Sequence, residues 1–338
     1  DPPPALPALG TELARALEQA RDFQDMLDIA RRWTSERRFQ AGVHLLRGLS
    51  DAEKTGATLA DIAEAALAAL QPAVEAEFAR QHGRIPGASL AIVALGKLGG
   101  RELTITSDLD LVFLYDTQAG ADVSDGDKPL SASHYFLRLA NRFISAATAL
   151  TAEGALYDID LRLRPSGAKG PIAASIEGFE TYFRDQAWTW EVMALTRARP
   201  ITGTPALQRR IAAAIRAPLP RPRDPVMLAA DVARMRALMA AEHKAHSPWD
   251  IKTWRGGLID AEFLVQYLEL REAASRPEIL APNTAAALAA LIATGAIAPE
   301  DGRTLAAALR LWHAVQGVLR LTVEGPFEPE AAPEALRA

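Results

Sequence analysis

The sequence predicts an α+β fold in which a small mixed sheet lies between two mostly helical regions. Apolar residues recur at helical spacing through about the first 85 residues and again from Ile176 onward. Between these regions, Ser89–Leu95 and Leu109–Asp116 are short and apolar, as buried strands are. We therefore expect three domains, a helical region, a sheet-containing domain and a helical bundle, with the bounds 1–85, 86–200 and 201–338.

The N-terminal region contains two helical segments. The first begins near Thr11, and we expect the Thr11 hydroxyl to cap this helix by accepting a backbone N–H. The second is rich in alanine, and we expect it to bend at Pro72 because proline removes a helical hydrogen bond. Glycine and proline between residues 82 and 88 then end the helical pattern.

A later segment is expected to join the sheet as a further strand. Residues Ser131–Leu150 have helical periodicity, and Tyr157–Arg164 then alternates strictly between apolar and charged residues. The helix is long enough to bring this strand back beside Leu109–Asp116. The strand would then carry its charged face, Asp158, Asp160, Arg162 and Arg164, on one side of the sheet.

Composition narrows the class of protein. The 338 residues carry a net charge of −5, which argues against a general face for binding nucleic acid. No apolar run approaches the roughly 20 residues that span a membrane, and the start of the chain lacks a signal-peptide pattern. Cysteine is absent, which excludes disulfides and thiolate metal sites. We expect a cytoplasmic protein, and the missing initiator methionine is compatible with a fragment of a longer chain.

Two carboxylates stand two residues apart at Asp108 and Asp110. On a strand this spacing places both on one face, with Leu109 turned into the core. Carboxylates about 4 Å apart repel each other by roughly 4 kcal/mol at an effective dielectric near 20. A divalent hard cation is the usual partner that offsets such repulsion. The alternative is a solvated strand start without a metal.

Neighbouring residues favour the metal. Gly96, Gly99 and Gly100 lie just upstream, where glycine lets backbone N–H groups approach phosphates, and Lys97 could neutralise a phosphate. Asp160, on the later strand, would complete a set of three carboxylates. Arginines flank it at positions 162 and 164, and three aspartates with arginines suit two metal ions and a triphosphate.

Four segments, in this order, resemble the glutamine synthetase adenylyltransferase family. They are Gly96–Asp116, Leu156–Pro171, Gln186–Pro200 and Gly256–Leu270. The resemblance extends from about Trp33 to Leu336. Family members are bacterial enzymes of nitrogen control with two homologous nucleotidyltransferase halves. One half attaches AMP to a tyrosine of glutamine synthetase, and the other removes it by phosphorolysis. The implied fold is the nucleotidyltransferase fold of the DNA polymerase beta type, with a C-terminal helical bundle.

The segments AWTWEVMALTRAR, Ala187–Arg199, and RLRPSG, Arg162–Gly167, look like the half that adds AMP. Two departures from the family pattern lie beside the site. The family's adding half commonly has a tyrosine shortly before the position of Ser107, and a frequent isoleucine is replaced by Ala261. Both departures leave the carboxylates intact.

The resemblance also implies roles for individual residues. Asp108, Asp110 and Asp160 match the catalytic, metal-binding carboxylates, with Asp160 able to help deprotonate the attacking tyrosine. The resemblance implies that a second set of residues binds the nucleotide. These are Gly96, Lys97, Gly99, Gly100, Ser107, Arg162 and Arg164. The implied cofactor is Mg²⁺, with Mn²⁺ as an alternative, and ATP is the implied substrate.

The leading hypothesis is transfer of AMP from ATP to a tyrosine hydroxyl of glutamine synthetase, with release of pyrophosphate. The implied partners are glutamine synthetase and a PII-type signal protein. Two alternatives stay open. One is phosphorolytic removal of AMP, which uses the same metal chemistry. The other is a non-catalytic module that binds nucleotide or the signal protein, and the three intact aspartates argue against it.

Overall fold

The computed structural model describes residues 4–118, 120–323, 325 and 327, so the predicted bundle beyond residue 327 lies outside the described part. Three helices open the chain, as the periodicity predicted. They are α1 (Leu6–Leu17), α2 (Phe23–Leu46) and α3 (Ala52–His82). The prediction for Thr11 was wrong. Helix α1 begins after Ala5, and the Thr11 hydroxyl donates to the carbonyl of Pro7 inside the helix, 2.9 Å away. Pro72 lies inside α3.

Five strands form one small mixed sheet. They are β1 (Ser89–Ala94), β2 (Leu109–Asp116), β3 (Ile159–Asp160), β4 (Ala173–Ser175) and β5 (Arg199–Pro200). Strand β2 pairs antiparallel with β1, and β1 pairs antiparallel with β5. Along its other edge β2 pairs parallel with β3 and then with β4. The predicted mixed sheet is therefore confirmed.

The strand predicted over Tyr157–Arg164 was too long, because β3 contains only Ile159 and Asp160. The Asp160 carboxylate accepts the backbone N–H of Arg162 at 2.8 Å. A side chain that bonds the backbone two residues on turns the chain away from the strand direction. The segment after Asp160 is accordingly a tight turn and not the second half of a strand.

Both faces of β1 and β2 are buried, which explains why their sequences are continuously apolar. On one face Ile92, Leu111 and Phe113 pack against α1 to α3 and α5 (Ala132–Thr148). On the other face Val93 and Leu114 pack against helices that follow β4. The helices from β4 onward are α6 (Ile176–Asp185), α7 (Thr189–Leu195), α8 (Pro205–Arg216), α9 (Pro225–Glu242), α10 (Leu258–Glu272), α11 (Thr284–Ala293) and α12 (Pro299–Thr322).

Helices α10, α11 and α12 form a core of their own. Leu258, Leu288 and Leu309 from α10, α11 and α12 are buried together. Helix α12 also packs against α2 and α3, so the C-terminal helices touch the N-terminal ones as well as the sheet domain. The division into three domains at residues 85 and 200 stays a prediction.

One described helix, α3, is long and apolar enough to cross a membrane by length and composition. Of its most apolar 18-residue window, 56% is buried inside the fold. Buried neighbours such as Leu67 and Leu70 belong to the main core. This is the environment of a core helix, and α3 is weak evidence for any membrane contact.

Candidate active site

The two strands β2 and β3 bring Asp110 and Asp160 side by side. Their parallel register pairs Leu109 with Ile159 and Asp110 with Asp160. Directly paired residues on adjacent strands project from the same face, about 4.8 Å apart in backbone position. Asp108 immediately precedes β2, and its negative charge acts on Asp110. The predicted return of the strand that carries Asp160 beside Asp110 is confirmed.

The electrostatics of Asp110 reflect this crowding. Burial and, to a smaller extent, the negative charges of Asp108 and Asp160 together raise the pKa of Asp110 to about 6. Three hard oxygen donors whose charges oppose one another form a set that suits a divalent cation of the Mg²⁺ type. The residues present therefore fit the metal that the sequence predicted.

The turn before β2 fixes the position of Asp108. The Ser107 hydroxyl accepts the backbone N–H of Thr104 at 3.0 Å and lies 2.9 Å from its hydroxyl. The backbone N–H of Ser107 in turn donates to the Thr104 carbonyl. Ser107 thus closes the turn that leads into the acidic pair. Its predicted contact with a nucleotide stays a prediction.

The glycine-rich segment forms the short helix α4 (Gly96–Gly99), which begins against the Asp110 carboxylate. Gly96 has a φ of 50°, and a Cβ there would come 2.1 Å from a carboxylate oxygen of Asp110. Any larger residue would collide with that side chain. Glycine at this position therefore lets the loop approach Asp110 closely.

Gly99 and Gly100 lie against a different neighbour. A Cβ on Gly99 would come 1.9 Å from the backbone carbonyl of Arg197, and one on Gly100 would meet the Arg197 guanidinium at 2.7 Å. Their N–H groups donate to the carbonyls of Leu95 and Gly96. In this structure both glycines serve the packing of the loop, and their binding of phosphate stays a prediction.

Lys97 points toward α12. Its ammonium group donates to the side-chain carbonyl of Gln316 over 2.6 Å. Burial lowers the pKa of Lys97 to about 8. The structure thus couples the predicted phosphate-binding lysine to α12, a contact that the sequence did not reveal.

The two arginines after β3 have different roles in the fold. The Arg162 side chain donates to the Asp160 carboxylate at 2.7 Å. Burial would raise the pKa of Asp160, but the hydrogen bonds from Arg162 outweigh it and hold that pKa below its usual range. Arg164 instead donates to three backbone carbonyls, those of Leu161, Ala168 and Gly170. Arg162 is close to the site, whereas Arg164 shapes the loop beside it.

A buried ion-pair cluster behind the glycine loop was not predicted. Arg197 is 5% exposed, bonds the carboxylate of Glu102 and lies 3.1 Å from that of Glu262. Burial alone would lower the pKa of Arg197, but the two carboxylates raise it. Glu102 also accepts the backbone N–H of Thr284 at 2.7 Å, at the start of α11.

This cluster has the spacing of a metal site, since ligand atoms of Glu102, Glu262 and His313 lie within 4.8 Å of one another. The Arg197 guanidinium already bonds Glu102 and pairs with Glu262, so the negative charges have a counterion. We therefore assign the cluster a structural role. It joins the glycine loop, the segment before β5 and the C-terminal helices. Sequence offered no signal, because its members come from segments far apart in the chain.

We expect Asp110→Asn to stabilise the metal-free protein at pH 7.5. A raised folded-state pKa means that this group contributes stability below about pH 4 that is lost as pH rises through about 6. At neutral pH the buried charge costs up to about 3 kcal/mol, which the neutral amide relieves. Thermal unfolding with a chelator present should give a higher Tm for the variant at pH 7.5 and converging values toward pH 4. An equal or lower Tm at pH 7.5 would contradict the cost assigned to the buried charge of Asp110.

Two protein-family models match different parts of this chain. A family model described as glutamate-ammonia ligase adenylyltransferase matches residues 1–214. A second, described as GlnD PII-uridylyltransferase, matches residues 230–325. Residues from both matched parts meet at the Glu102–Arg197–Glu262 cluster.

Curated relatives match almost the whole chain. A protein of Bradyrhizobium sp. is 44% identical over 328 residues, 97% of this chain and 33% of the relative. One of Xanthobacter autotrophicus is 45% identical over 331 residues, 98% of this chain and 34% of the relative. Both are named bifunctional glutamine synthetase adenylyltransferase/adenylyl-removing enzyme. The chain spans about a third of the length of the curated relatives it matches.

Proposed function

Because this chain belongs to the glutamate-ammonia ligase adenylyltransferase family, we propose that it transfers AMP from ATP to a tyrosine hydroxyl of glutamine synthetase and releases pyrophosphate. The observation that carries the proposal is the register of β2 and β3, which sets Asp110 beside Asp160 and next to Asp108. The glycine loop lies close to one of these carboxylates, that of Asp110, through Gly96. Both matched family models are named for nucleotidyl transfer, which supports this chemistry.

Asp108, Asp110 and Asp160 would hold the divalent metal. When bound there, Mg²⁺ or Mn²⁺ supplies charge that stabilises the attacking and leaving oxygens of an in-line displacement at the α-phosphate. Arg162 holds the Asp160 carboxylate by two hydrogen bonds, so this oxygen pair is oriented in advance. Its pKa lies below the usual range, which makes Asp160 a weak base. We therefore propose that Asp160 binds the metal and does not act as the base that deprotonates the tyrosine.

Direction of the reaction rests on the segments that resemble the adding half. AWTWEVMALTRAR forms α7 and the two arginines after it, and RLRPSG forms the turn after β3. The same carboxylates would serve phosphorolysis, in which inorganic phosphate attacks in place of tyrosine. We propose addition as the activity, with glutamine synthetase as the acceptor, a PII-type protein as a regulator and the cytoplasm as the compartment.

The direction is tested by offering two substrates separately. Unmodified glutamine synthetase with radiolabelled ATP and Mg²⁺ should incorporate AMP, with pyrophosphate released in equal amount. Adenylylated glutamine synthetase with phosphate should yield no ADP. Asp110→Asn serves as the inactive control for both reactions. ADP released in the second reaction, with no label incorporated in the first, would assign the chain to the removing activity.

A further inference from the structure

Arg101 directly follows the glycine loop, Gly96–Gly100, and has a left-handed backbone conformation with a φ of 59°. Its N–H donates to the carbonyl of Leu98 at 3.1 Å. The next N–H, that of Glu102, donates to the carbonyl of Lys97 at 2.8 Å. Helices that end with these two bonds usually have glycine at the left-handed position, because a side chain there is strained. An arginine at this position therefore needs a contact that offsets the strain.

Helix α3 supplies such a contact through Asp61. The Arg101 guanidinium donates to one carboxylate oxygen of Asp61 at 2.9 Å and lies 2.7 Å from the other. The Asp61 side chain is only 13% exposed, so little water competes for this pair. An arginine that contacts both oxygens of a carboxylate is fixed in direction as well as in distance. The pair therefore ties the left-handed turn at the end of the loop to α3.

Glu64 holds the loop from the same face of α3. It lies three residues after Asp61, and residues at this spacing are neighbours on the surface of a helix. Its carboxylate accepts a hydrogen bond from Arg199, whose guanidinium also donates to the carbonyl of Gly99 at 3.1 Å. The backbone of the loop is thus held on α3 near both Gly99 and Arg101.

The loop held in this way begins beside the candidate metal site. A Cβ on Gly96, its first residue, would come 2.1 Å from a carboxylate oxygen of Asp110. After Arg101 the chain continues through the turn that Ser107 closes and reaches Asp108. The backbone at Arg101 thus connects the residue that approaches Asp110 to the turn that leads to Asp108. A change of conformation there would move one relative to the other.

We propose that Asp61 is a positioning residue of the nucleotide site, which holds the glycine loop in its binding shape by pairing with Arg101. The proposal rests on the proposed function, in which this loop lies beside the nucleotide. Without the pair, Arg101 would favour the ordinary right-handed conformation, and only a fraction of the molecules would have the loop shape seen here. The affinity for a ligand falls in proportion to that fraction. The N-terminal helices then serve nucleotide binding without touching the nucleotide.

The test is equilibrium binding of ATP with Mg²⁺ to the full chain, by titration calorimetry without glutamine synthetase. Asp61→Asn keeps the shape of the side chain but removes its charge, so the affinity for ATP should fall about tenfold. Adding Arg101→Gly to this variant should recover most of the affinity, because glycine adopts the left-handed conformation without a side chain to hold it. Adding Arg101→Ala instead should recover none, because alanine keeps the strain.

Glu77→Gln is the matched control, because Glu77 also lies on α3 and pairs with an arginine, Arg80, at 2.8 Å within the same helix. It should bind ATP as the unchanged chain does, and thermal unfolding checks that every variant is folded. An unaltered ATP affinity in Asp61→Asn would leave the pair a purely structural role and overturn the proposal. Equal affinities of the glycine and alanine double variants would also overturn it, since Asp61 would then act through the side chain of Arg101. Both results leave the proposed function standing. If the unchanged chain binds no ATP at all, the proposal fails together with the proposed function.

Discussion

Replacing Asp110 by Asn should lower the rate of AMP transfer at least about a thousandfold, which is roughly 4 kcal/mol of barrier. The amide has nearly the same shape but carries no charge, so the pair formed with Asp160 across β2 and β3 can no longer hold a divalent cation. Asp108→Asn should have an effect of the same size. Transfer of label from radiolabelled ATP to glutamine synthetase, at saturating Mg²⁺, measures both variants.

Asp116→Asn is the matched control for this loss. Asp116 lies at the other end of β2 and pairs with Arg210 at 2.9 Å, near the surface. Its replacement removes the same charge from the same strand but leaves the candidate metal site intact, so transfer should stay within about twofold of the unchanged rate. A folded Asp110→Asn protein with near-normal transfer would show that the carboxylates have been assigned wrongly.

Arg197→Met should cost about 3–5 kcal/mol of the free energy of unfolding, because it leaves Glu102 and Glu262 buried without their counterion. Methionine keeps much of the side-chain volume, so the loss reports the charge more than a cavity. Urea unfolding followed by tryptophan fluorescence measures the change. The loss should appear as a lower urea concentration at the midpoint of unfolding.

Arg32→Met provides the comparison for this stability loss. Arg32 pairs with Glu153 at 3.0 Å, but its side chain is 57% exposed. Exposed ion pairs contribute about 0–1 kcal/mol, so this variant should unfold close to the unchanged protein. If Arg197→Met lost no more stability than Arg32→Met, the Glu102–Arg197–Glu262 cluster would not stabilise the contact between the sheet domain and the C-terminal helices.

The sequence was informative where a pattern is local. Strand β2 runs from Leu109 to Asp116, as its apolar run predicted, and Asp110 meets Asp160 because a helix returns the chain beside it. Such features follow from periodicity and chain reach. The two-residue length of β3 does not, since one hydrogen bond from Arg162 to Asp160 competes with strand pairing.

The partners of charged residues were much harder to predict. Lys97 bonds Gln316, and Arg164 bonds backbone carbonyls of its own loop, whereas both looked like phosphate ligands in the sequence. A cation seeks any nearby acceptor, and which acceptor is near depends on tertiary packing. The link between Glu102 and Thr284 at the start of α11 has no counterpart in any local pattern.

That link sets an order of events during synthesis. Glu102 and all three aspartates leave the ribosome long before Thr284 does, by on the order of ten seconds or more at usual elongation rates. During this interval Glu102 can pair with Arg197, but the backbone N–H of Thr284 that completes its set of donors does not yet exist. Contacts between residues so distant in sequence close slowly and late. The contacts of Gly100 and Glu102 with the start of α11 therefore form last, so a ribosome that stalls after α8 would display all three candidate metal-binding aspartates beside a loop that lacks them.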